Sequence, residues 1–197
     1  MPEFLIKADH SLFLFLNGIH SPVTDPLFFW GTKSLVWLPF YLLLLCFVIR
    51  QYGWNTVWIL IMAALMITVS DQLSNFFKDW IARPRPSHEH SLTGVHLVNG
   101  YKGGLYGFYS AHASSNMALA VYLLILLRHP FRWFPLVMMG YAIFMSYTRI
   151  YLGVHYPGDI LAGWLAGAVL GWIAGQLCGF LLHRLQNGSG RDAVQGV

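Results

Sequence analysis

The stretch PGDILAGWLAGAVLGWIAGQLCGFLL, from Pro157 to Leu182, is apolar over nearly its whole length and holds one charged residue, Asp159. A helix needs about 20 mostly apolar residues to cross the hydrocarbon core of a bilayer, so this stretch is long enough to cross with tilt. Of the 197 residues of the chain, 56% are hydrophobic and 10% are charged, whereas soluble domains carry about 25% charged residues. The sequence therefore predicts an integral membrane protein.

Further apolar segments precede this stretch. The predicted spans are Ser34–Ile49, Trp54–Val69 with a polar-faced continuation to Lys78, Ala111–Leu127, Trp133–Tyr147 and the quoted stretch. Phe4–Ile19 is a short apolar helix that either lies in the membrane interface or crosses as a sixth span. We therefore predict an all-α polytopic membrane bundle of five or six transmembrane helices. Residues 1–185 form a single domain with its motif core at 78–166, and residues 186–197 form a flexible polar tail.

The charged residues and cysteines exclude some functions. The formal net charge is +4, and because no basic patch interleaved with aromatic residues is present, no nucleic-acid partner is expected. Cys46 and Cys178 both lie inside apolar stretches, where they are expected to be buried small hydrophobic residues rather than a disulfide. Met1–Asp9 lacks the features of a secretory signal peptide, so we expect the first span to direct insertion.

Counting spans places the polar residues between them on one membrane face. The helix that ends at Lys78 leaves the membrane where the next span begins near Ser110, and the span that ends at Arg149 returns to that face. The residues expected there are Lys78, Arg83, Arg85, Ser110, His112, Arg149, His155 and Asp159. A count of Lys and Arg would place this face in the cytoplasm, but several of these cations are candidates for ligand binding.

Three segments carry the candidate chemistry: KDWIARPRP from Lys78, YSAH from Tyr109 and TRIYLGVHYPGD from Thr148. Lys78, Arg85 and Arg149 offer three cations, and Ser110 offers a hydroxyl at a helix start. Arginine forks match phosphate oxygens, and a helix N-terminus favours an anion. Fixed cations also stabilise the charge that spreads over a phosphoryl group in transfer. These residues therefore predict a phosphate cradle.

The two histidines of these segments suit nucleophilic and acid catalysis. His155 lies four residues before Asp159, whose carboxylate can orient the imidazole and stabilise its charged form. Attack by the imidazole nitrogen on phosphorus would give a phosphohistidine. His112 fits the general acid that protonates the leaving group and then activates water.

The patterns Lys-x6-Arg-Pro, Ser-x-His and Arg-x5-His-x3-Asp, in this order, resemble the three signatures of the type 2 phosphatidic acid phosphatase (PAP2) superfamily. The resemblance implies a helical bundle that acts without a metal or cofactor. It also implies roles for individual residues. Those for phosphate binding are Lys78, Arg85, Ser110, Arg149 and the backbone of Ala111, and those for catalysis are His155 as nucleophile, His112 as general acid and Asp159 as the group that orients His155. The middle signature usually reads Pro-Ser-Gly-His, so Tyr109 and Ala111 depart from it, and Thr148 stands where Ser is usual.

The implied function is hydrolysis of the phosphomonoester or diphosphate of a lipid through a phosphohistidine. Undecaprenyl diphosphate, phosphatidylglycerophosphate, phosphatidate and the phosphates of lipid A all remain candidate substrates. The resemblance implies a multi-pass protein of the bacterial inner membrane with its site facing the periplasm or cell exterior, and no obligatory protein partner. The alternatives are a lipid phosphotransferase with the same site and a non-catalytic lipid-phosphate transporter; a haloperoxidase is disfavoured by the membrane character.

Other polar residues leave two interpretations open. Arg83 is either a site residue or an ordinary interfacial charge. His88, His90 and His96 are too loosely spaced to predict a metal site and fit a polar loop. Asp71 and Asn75 share a helix face with Lys78, where Asp71 is either functional or part of a structural pair.

Overall fold

The structure is a computed structural model that describes residues 3–127 and 132–195, with side chains described as far as Gln186. Its helices are α1 (Glu3–Asn17), α2 (Thr24–Gly31), α3 (Leu38–Tyr52), α4 (Thr56–Ile81), α5 (Ala111–Leu126), α6 (Phe134–Tyr151) and α7 (Pro157–Gln195). Over the described ranges there is no β-strand, and the one isolated bridge joins Pro84 and Tyr106. The predicted all-α class is confirmed.

Helices α3 to α7 follow the five predicted spans. Two stretches are long and apolar enough to cross a membrane: Ser34–Ile81, with a mean hydropathy of 1.7, and Pro157–Gln186, with 1.8. The first contains α3 and α4, which a short turn at Gly53–Asn55 separates. Ala111–Leu126 is a shorter apolar helix. Helix α4 continues beyond Lys78 and ends where Ala82 adopts a left-handed conformation, with φ 48°.

Helix α5 is the centre of the bundle and packs against α4, α6 and α7. Its Ala118, Ala120 and Tyr122 are fully buried, and Cys178 of α7 lies in the same core cluster. The Tyr122 hydroxyl donates to the Ile59 carbonyl at 2.8 Å. Because this helix is covered on several sides, its apolar side chains face protein rather than lipid.

Glycines at every fourth position of α7 allow it to lie directly on α5. A Cβ added at Gly163 would come 2.7 Å from the Ser110 carbonyl oxygen, and one at Gly167 or Gly171 would collide with backbone atoms of Ser114 or Ala118. Small residues at this spacing let helix backbones approach closely in membranes. The four-residue spacing of these glycines is visible in the sequence itself.

The opposite face of α7 carries exposed apolar side chains at helical spacing, namely Leu161, Leu165, Val169, Trp172, Ile173, Leu177 and Phe180. Such an apolar stripe suits contact with lipid. Cys46 on α3 is exposed as well, so the expectation that both cysteines are buried is wrong for Cys46: it lies on an outward face of its helix. Both cysteines are free, as expected.

Helix α1 lies across the end of the bundle where α6 ends and α7 begins. The Asn17 amide donates to the carbonyls of Ile150 and Tyr151 at 3.0 and 2.9 Å, and the Phe13 and Tyr156 rings meet edge to face at 5.4 Å. These partners belong to the last turn of α6 and the start of α7. The structure therefore favours the interfacial alternative for this segment over a sixth span.

The predicted tail begins inside α7. The helix continues to Gln195, while the side chains of residues 187–195 and all of residues 196–197 lie outside the described part. The flexibility of residues 186–197 stays a prediction.

Candidate active site

A cavity of about 730 Å³ opens between α4, α5, α6 and the connection from α4 to α5. Six of the predicted site residues line it: Lys78, Arg85, Ala111, His112, Arg149 and His155. Ser110 and Asp159 are fully buried and lie directly behind this lining. Span counting had placed seven of these eight, all but Ala111, on one face together with Arg83, and the structure brings the seven together there.

His155 and Asp159 form a buried pair. The Nδ1 atom of His155 lies 3.4 Å from Oδ2 of Asp159, which is within ion-pair distance, although the two atoms do not meet hydrogen-bond geometry. The exposed fractions of the two residues are 2% and 0%. Because Nδ1 faces the carboxylate, Nε2 is the nitrogen left for the cavity.

Burial sets the protonation state of His155. Desolvation lowers the pKa of its imidazole to about 4, although the Asp159 carboxylate acts in the opposite direction. Repulsion from the neighbouring cations Arg85 and Arg149 also contributes to this lowered pKa. At neutral pH the imidazole is therefore uncharged, which is the state that can attack phosphorus.

The turn between α6 and α7 places His155 beside Arg149. Gly153 adopts φ +73°, and an added Cβ would come 2.6 Å from Leu97 Cδ2 and 2.8 Å from the His96 carbonyl oxygen. Only glycine fits this backbone conformation without strain and without displacing the loop. Helix α7 then starts at Pro157, a residue suited to the first turn.

The three cations of the cradle are held without carboxylate partners. Arg85 Nε donates to the Tyr106 carbonyl at 2.9 Å, Arg149 Nη1 donates to Thr32 Oγ1 at 3.0 Å, and Lys78 Nζ donates to Asn75 Oδ1 at 3.3 Å. In the described part of the chain none of them forms an ion pair. Their charge is therefore available to an anion in the cavity.

The guanidiniums also influence each other. Arg85 is 9% exposed. Its pKa is lowered below the ordinary value, mainly by desolvation and to a lesser extent by repulsion from Arg149. Nε of Arg149 is buried and has no hydrogen-bond partner. A phosphate would relieve both conditions, because it supplies negative charge and several acceptor oxygens.

Ser110 is the N-cap of α5. Its hydroxyl accepts a long hydrogen bond of 3.4 Å from the Ala113 amide, and its own amide donates to the Asp159 carbonyl at 3.1 Å. These bonds fix the start of α5 against α7, so that the first turn of α5, with Ala111 and His112, faces the cavity. Phosphate binding by the Ser110 hydroxyl stays a prediction.

Two of the departures from the family pattern, Tyr109 and Thr148, make specific contacts in the structure. The Tyr109 ring packs against Phe77 with centroids 5.6 Å apart, and its carbonyl accepts from Ser74 Oγ at 3.0 Å. The Thr148 hydroxyl donates to the Met145 carbonyl at 2.7 Å and lies 3.1 Å from Thr32 Oγ1. Thr32 therefore contacts both Thr148 and Arg149.

The structure adds residues that the sequence analysis left out or left open. A polar wall of Asp71, Asn75, Ser115 and Asn116 lines the cavity below the cations. The helical spacing of Asp71, Asn75 and Lys78 was a signal for part of it. No sequence pattern indicates Thr32, because it lies far from Arg149 along the chain.

A second cluster of titratable residues lies outside the cavity. Potential ligand atoms of His20, Asp25 and His96 lie within 4.8 Å of one another, and His96 Nε2 is 3.0 Å from Asp25 Oδ1. The two imidazole rings stack in parallel, 3.7 Å apart, so their nitrogen lone pairs run side by side rather than converge on one point. The cluster ties the connection between α4 and α5 to α2.

Comparison with known proteins agrees with the geometry. The PAP2 superfamily model matches residues 56–180. The lipid A 4'-phosphatase of Bacteroides thetaiotaomicron is 39% identical over 189 residues, 94% of this chain and 81% of the relative. The lipid A 4'-phosphatase of Porphyromonas gingivalis is 32% identical over 171 residues, 85% of this chain and 72% of the relative.

A solved structure shares the fold. The crystal structure of a transmembrane PAP2 type phosphatidylglycerolphosphate phosphatase from Bacillus subtilis superposes with a TM-score of 0.66 at 21% identity, over 89% of this chain and 87% of that one. The family model covers more than half of the chain and contains all three motifs. The chain therefore belongs to the PAP2 superfamily of membrane lipid phosphatases.

Proposed function

We propose that this protein removes a phosphate monoester from the sugar headgroup of a lipid A-type glycolipid, through a phosphohistidine on His155 and without a metal. The observation that carries this proposal is the composition of the cavity along its depth. Cations and histidines line one part of it, and the apolar side chains of Ile67 and Leu119 line it about three turns from Lys78 along α4 and about two turns from His112 along α5. A lipid phosphate likewise has a charged headgroup at one end and apolar chains at the other.

The cavity follows α4 for several turns. Residues that line it run from Ile67 to Lys78, a distance of about 16 Å along a helix. The phosphate therefore meets the cations near the end of the bundle, while the acyl chains remain at the level of the apolar helices.

The polar wall favours a sugar over a plain prenyl headgroup. Asp71, Asn75, Ser115 and Asn116 offer donors and acceptors beside the cations. A glycolipid presents ring hydroxyls and amides that can bond to such groups, whereas a prenyl diphosphate presents none. The similarity to two lipid A 4'-phosphatases supports the same class of substrate.

The mechanism follows from the positions of the two histidines. Nε2 of His155 attacks phosphorus, and the bond between phosphorus and the leaving sugar oxygen breaks. His112 gives a proton to that oxygen, and Asp159 stabilises the imidazole as it gains charge. Water activated by His112 then attacks the phosphohistidine, which releases inorganic phosphate and restores both histidines.

We further propose that the site faces the periplasm of a bacterial inner membrane, as the family resemblance implies. The exposed apolar stripe of α7 and the interfacial position of α1 support a membrane location with the cavity at one surface. Cysteine labelling at the two ends of the bundle tests the orientation.

The test is phosphate release in detergent, with chelator present, from lipid A, undecaprenyl diphosphate, phosphatidylglycerophosphate and phosphatidate. We expect lipid A to react fastest, with loss of the 4'-phosphate by mass spectrometry, and we expect no activity in His155→Ala. His90→Ala is the matched control, because this histidine is exposed on the loop.

Each other outcome removes part of the proposal. Preference for the prenyl diphosphate would overturn the glycolipid assignment alone. Activity that needs a metal or survives His155→Ala would overturn the phosphohistidine mechanism. Phosphate transfer to an added alcohol in place of release would identify a phosphotransferase, and binding without turnover of any lipid would identify a transporter.

A further inference from the structure

Arg83 forms a bridge behind the active site. Its Nη1 donates to Asp159 Oδ1 at 2.9 Å, and its Nη2 donates to Asp9 Oδ2 at 2.7 Å. The side chains of Arg83 and Asp9 are only 15% and 11% exposed. Arg83 does not line the main cavity, so it reaches the reaction only through Asp159.

The two oxygens of Asp159 have separate partners. Oδ1 accepts from Arg83, while Oδ2 accepts from the Tyr156 amide at 3.0 Å and faces His155 Nδ1. Rotation of the carboxylate would break both sets of contacts. Arg83 therefore fixes the orientation in which one oxygen faces the imidazole.

Asp9 anchors Arg83 and the start of α7 together. Its Oδ1 accepts from the Gly158 amide at 2.7 Å, and Gly158 precedes Asp159 in the first turn of α7. The guanidinium of Arg83 also lies 4.0 Å from the centroid of the Tyr156 ring, on which His10 of α1 stacks at 4.8 Å. The charged and titratable groups around the bridge are thus Asp9, His10, Tyr156 and Asp159, with Glu89 beside Arg83 in a neighbouring cavity.

We propose that Arg83 and Asp9 are positioning residues that hold the Asp159 carboxylate toward Nδ1 of His155, so that the N-terminal helix α1 takes part in the chemistry of the site. This inference rests on the proposed phosphohistidine function. It assigns Arg83 a role separate from that of Arg85, two residues away, which lines the cavity and faces the phosphate. It also gives α1 a function beyond attachment to the membrane surface.

The hydrogen bonds of the Arg83 guanidinium explain why both Asp159 and Asp9 are needed. If Arg83 bonded to Asp159 alone, its Nη2 would be a mostly buried donor without an acceptor. A buried donor without a partner is costly. Asp9 supplies that acceptor. Loss of Asp9 is therefore expected to loosen Arg83 and, through it, the carboxylate of Asp159.

The experiment is a double-mutant cycle on phosphate release from the preferred lipid. We expect Arg83→Ala to lower kcat by about 10- to 100-fold, as misplacement of a catalytic group does, with little change in KM. We expect Asp159→Asn to lower kcat as well. Because Arg83 acts through Asp159, we expect Arg83→Ala to change kcat less than about 2-fold in the Asp159→Asn background. Asp9→Asn should give a smaller loss, and Arg83→Lys should restore part of the rate.

Arg50→Ala is the matched control, because Arg50 is an exposed arginine in the last turn of α3. Additive losses in the cycle, or a wild-type kcat in Arg83→Ala, would overturn the positioning role. If Arg83→Ala fails to fold, the same double-mutant cycle is measured with Arg83→Lys and with Asp9→Asn, each combined with Asp159→Asn. Activity that survives His155→Ala would instead refute the phosphohistidine function, so the two failures are distinguishable.

Discussion

At the scale of single residues, the site depends on a glycine, Gly107, whose lack of a side chain leaves room for its neighbours. Gly107 lies against the nucleophile pair: a Cβ there would come 3.1 Å from Asp159 Oδ2, 3.1 Å from Arg85 Cγ and 3.6 Å from His155 Nδ1. The Gly107 amide also donates to the Arg83 carbonyl at 2.9 Å. This glycine therefore lies against Asp159, His155 and Arg85 at once, which are the residues proposed to orient the nucleophile, to attack phosphorus and to bind phosphate.

We predict that Gly107→Ala lowers kcat about 10-fold or more, because the added methyl displaces Asp159 or Arg85 by a few tenths of an ångström or greater. The measurement is steady-state phosphate release in detergent. Gly140→Ala on α6 is the control, since nothing lies within 4 Å of its added Cβ. Equal kcat in both variants would show that the site tolerates the extra methyl.

The protonation of His155 gives a second prediction at this scale. Burial lowers the pKa of its imidazole from 6.5 to about 4, so the ring stays neutral as the pH falls through 6.5 and gains its proton only near pH 4. We expect the ¹³Cε1 resonance of His155, assigned by its loss in His155→Ala, to show no titration between pH 6 and pH 7 in phosphate-free detergent. A midpoint near 6.5 would contradict the effect of burial.

At the scale of elements, the pairing of α5 with α7 decides the position of every site residue that these helices carry. Ser110, Ala111 and His112 start α5, and Asp159 lies in the first turn of α7. The glycine repeat of α7 allows the contact, since Gly167 leaves no room for a Cβ beside Ser114. A shift of either helix would separate the Ser110 amide from the Asp159 carbonyl.

We predict different effects for two alanine substitutions in α7. Gly167→Ala should destabilise the protein by about 1–3 kcal/mol, the cost of overpacking a well-packed contact. Gly179→Ala should be neutral or stabilise by about 0.5–1 kcal/mol, since alanine is the better helix former and nothing lies within 4 Å of its Cβ. Thermal unfolding in detergent measures both, and equal Tm values would refute the close α5–α7 contact.

At the scale of the whole molecule, the candidate active site lies at one end of the bundle. The connection from α4 to α5, the turn from α6 to α7, and helix α1 all meet at this end, and α7 runs from it toward Gln186. Lys102 is exposed in that connection and Gln186 is exposed at the far end of the described side chains. These two positions can therefore report the orientation of the protein.

We predict that, in a cysteine-free background, Lys102→Cys reacts with a membrane-impermeant maleimide in intact cells with a permeabilised outer membrane. Gln186→Cys should react only after the inner membrane is opened. The reverse pattern would place the active site in the cytoplasm, in agreement with the simple count of Lys and Arg.

Much of the fold and the site followed from the chain itself. Apolar stretches of membrane length predicted the helices, because in lipid every backbone polar group must be satisfied within a helix. Since successive spans alternate in direction, the same count placed the cations and histidines on one face. The spacing of Arg149, His155 and Asp159 then predicted a nucleophile with its carboxylate, and the structure places the latter two side by side.

Only the tertiary structure showed which residues contact the site residues from behind. Thr32 contacts Arg149, Asp9 contacts Arg83, and Gly107 contacts Asp159, and each pair joins residues far apart in the chain. No local pattern predicts such pairs, because the same polar residue at a helix end is equally compatible with solvent, a cap or a distant partner. The sequence determined which groups are the candidates for the chemistry and that they lie on one face. Only the packing of α1, α5 and α7 decided how they are oriented, because orientation depends on contacts that form once the helices are side by side.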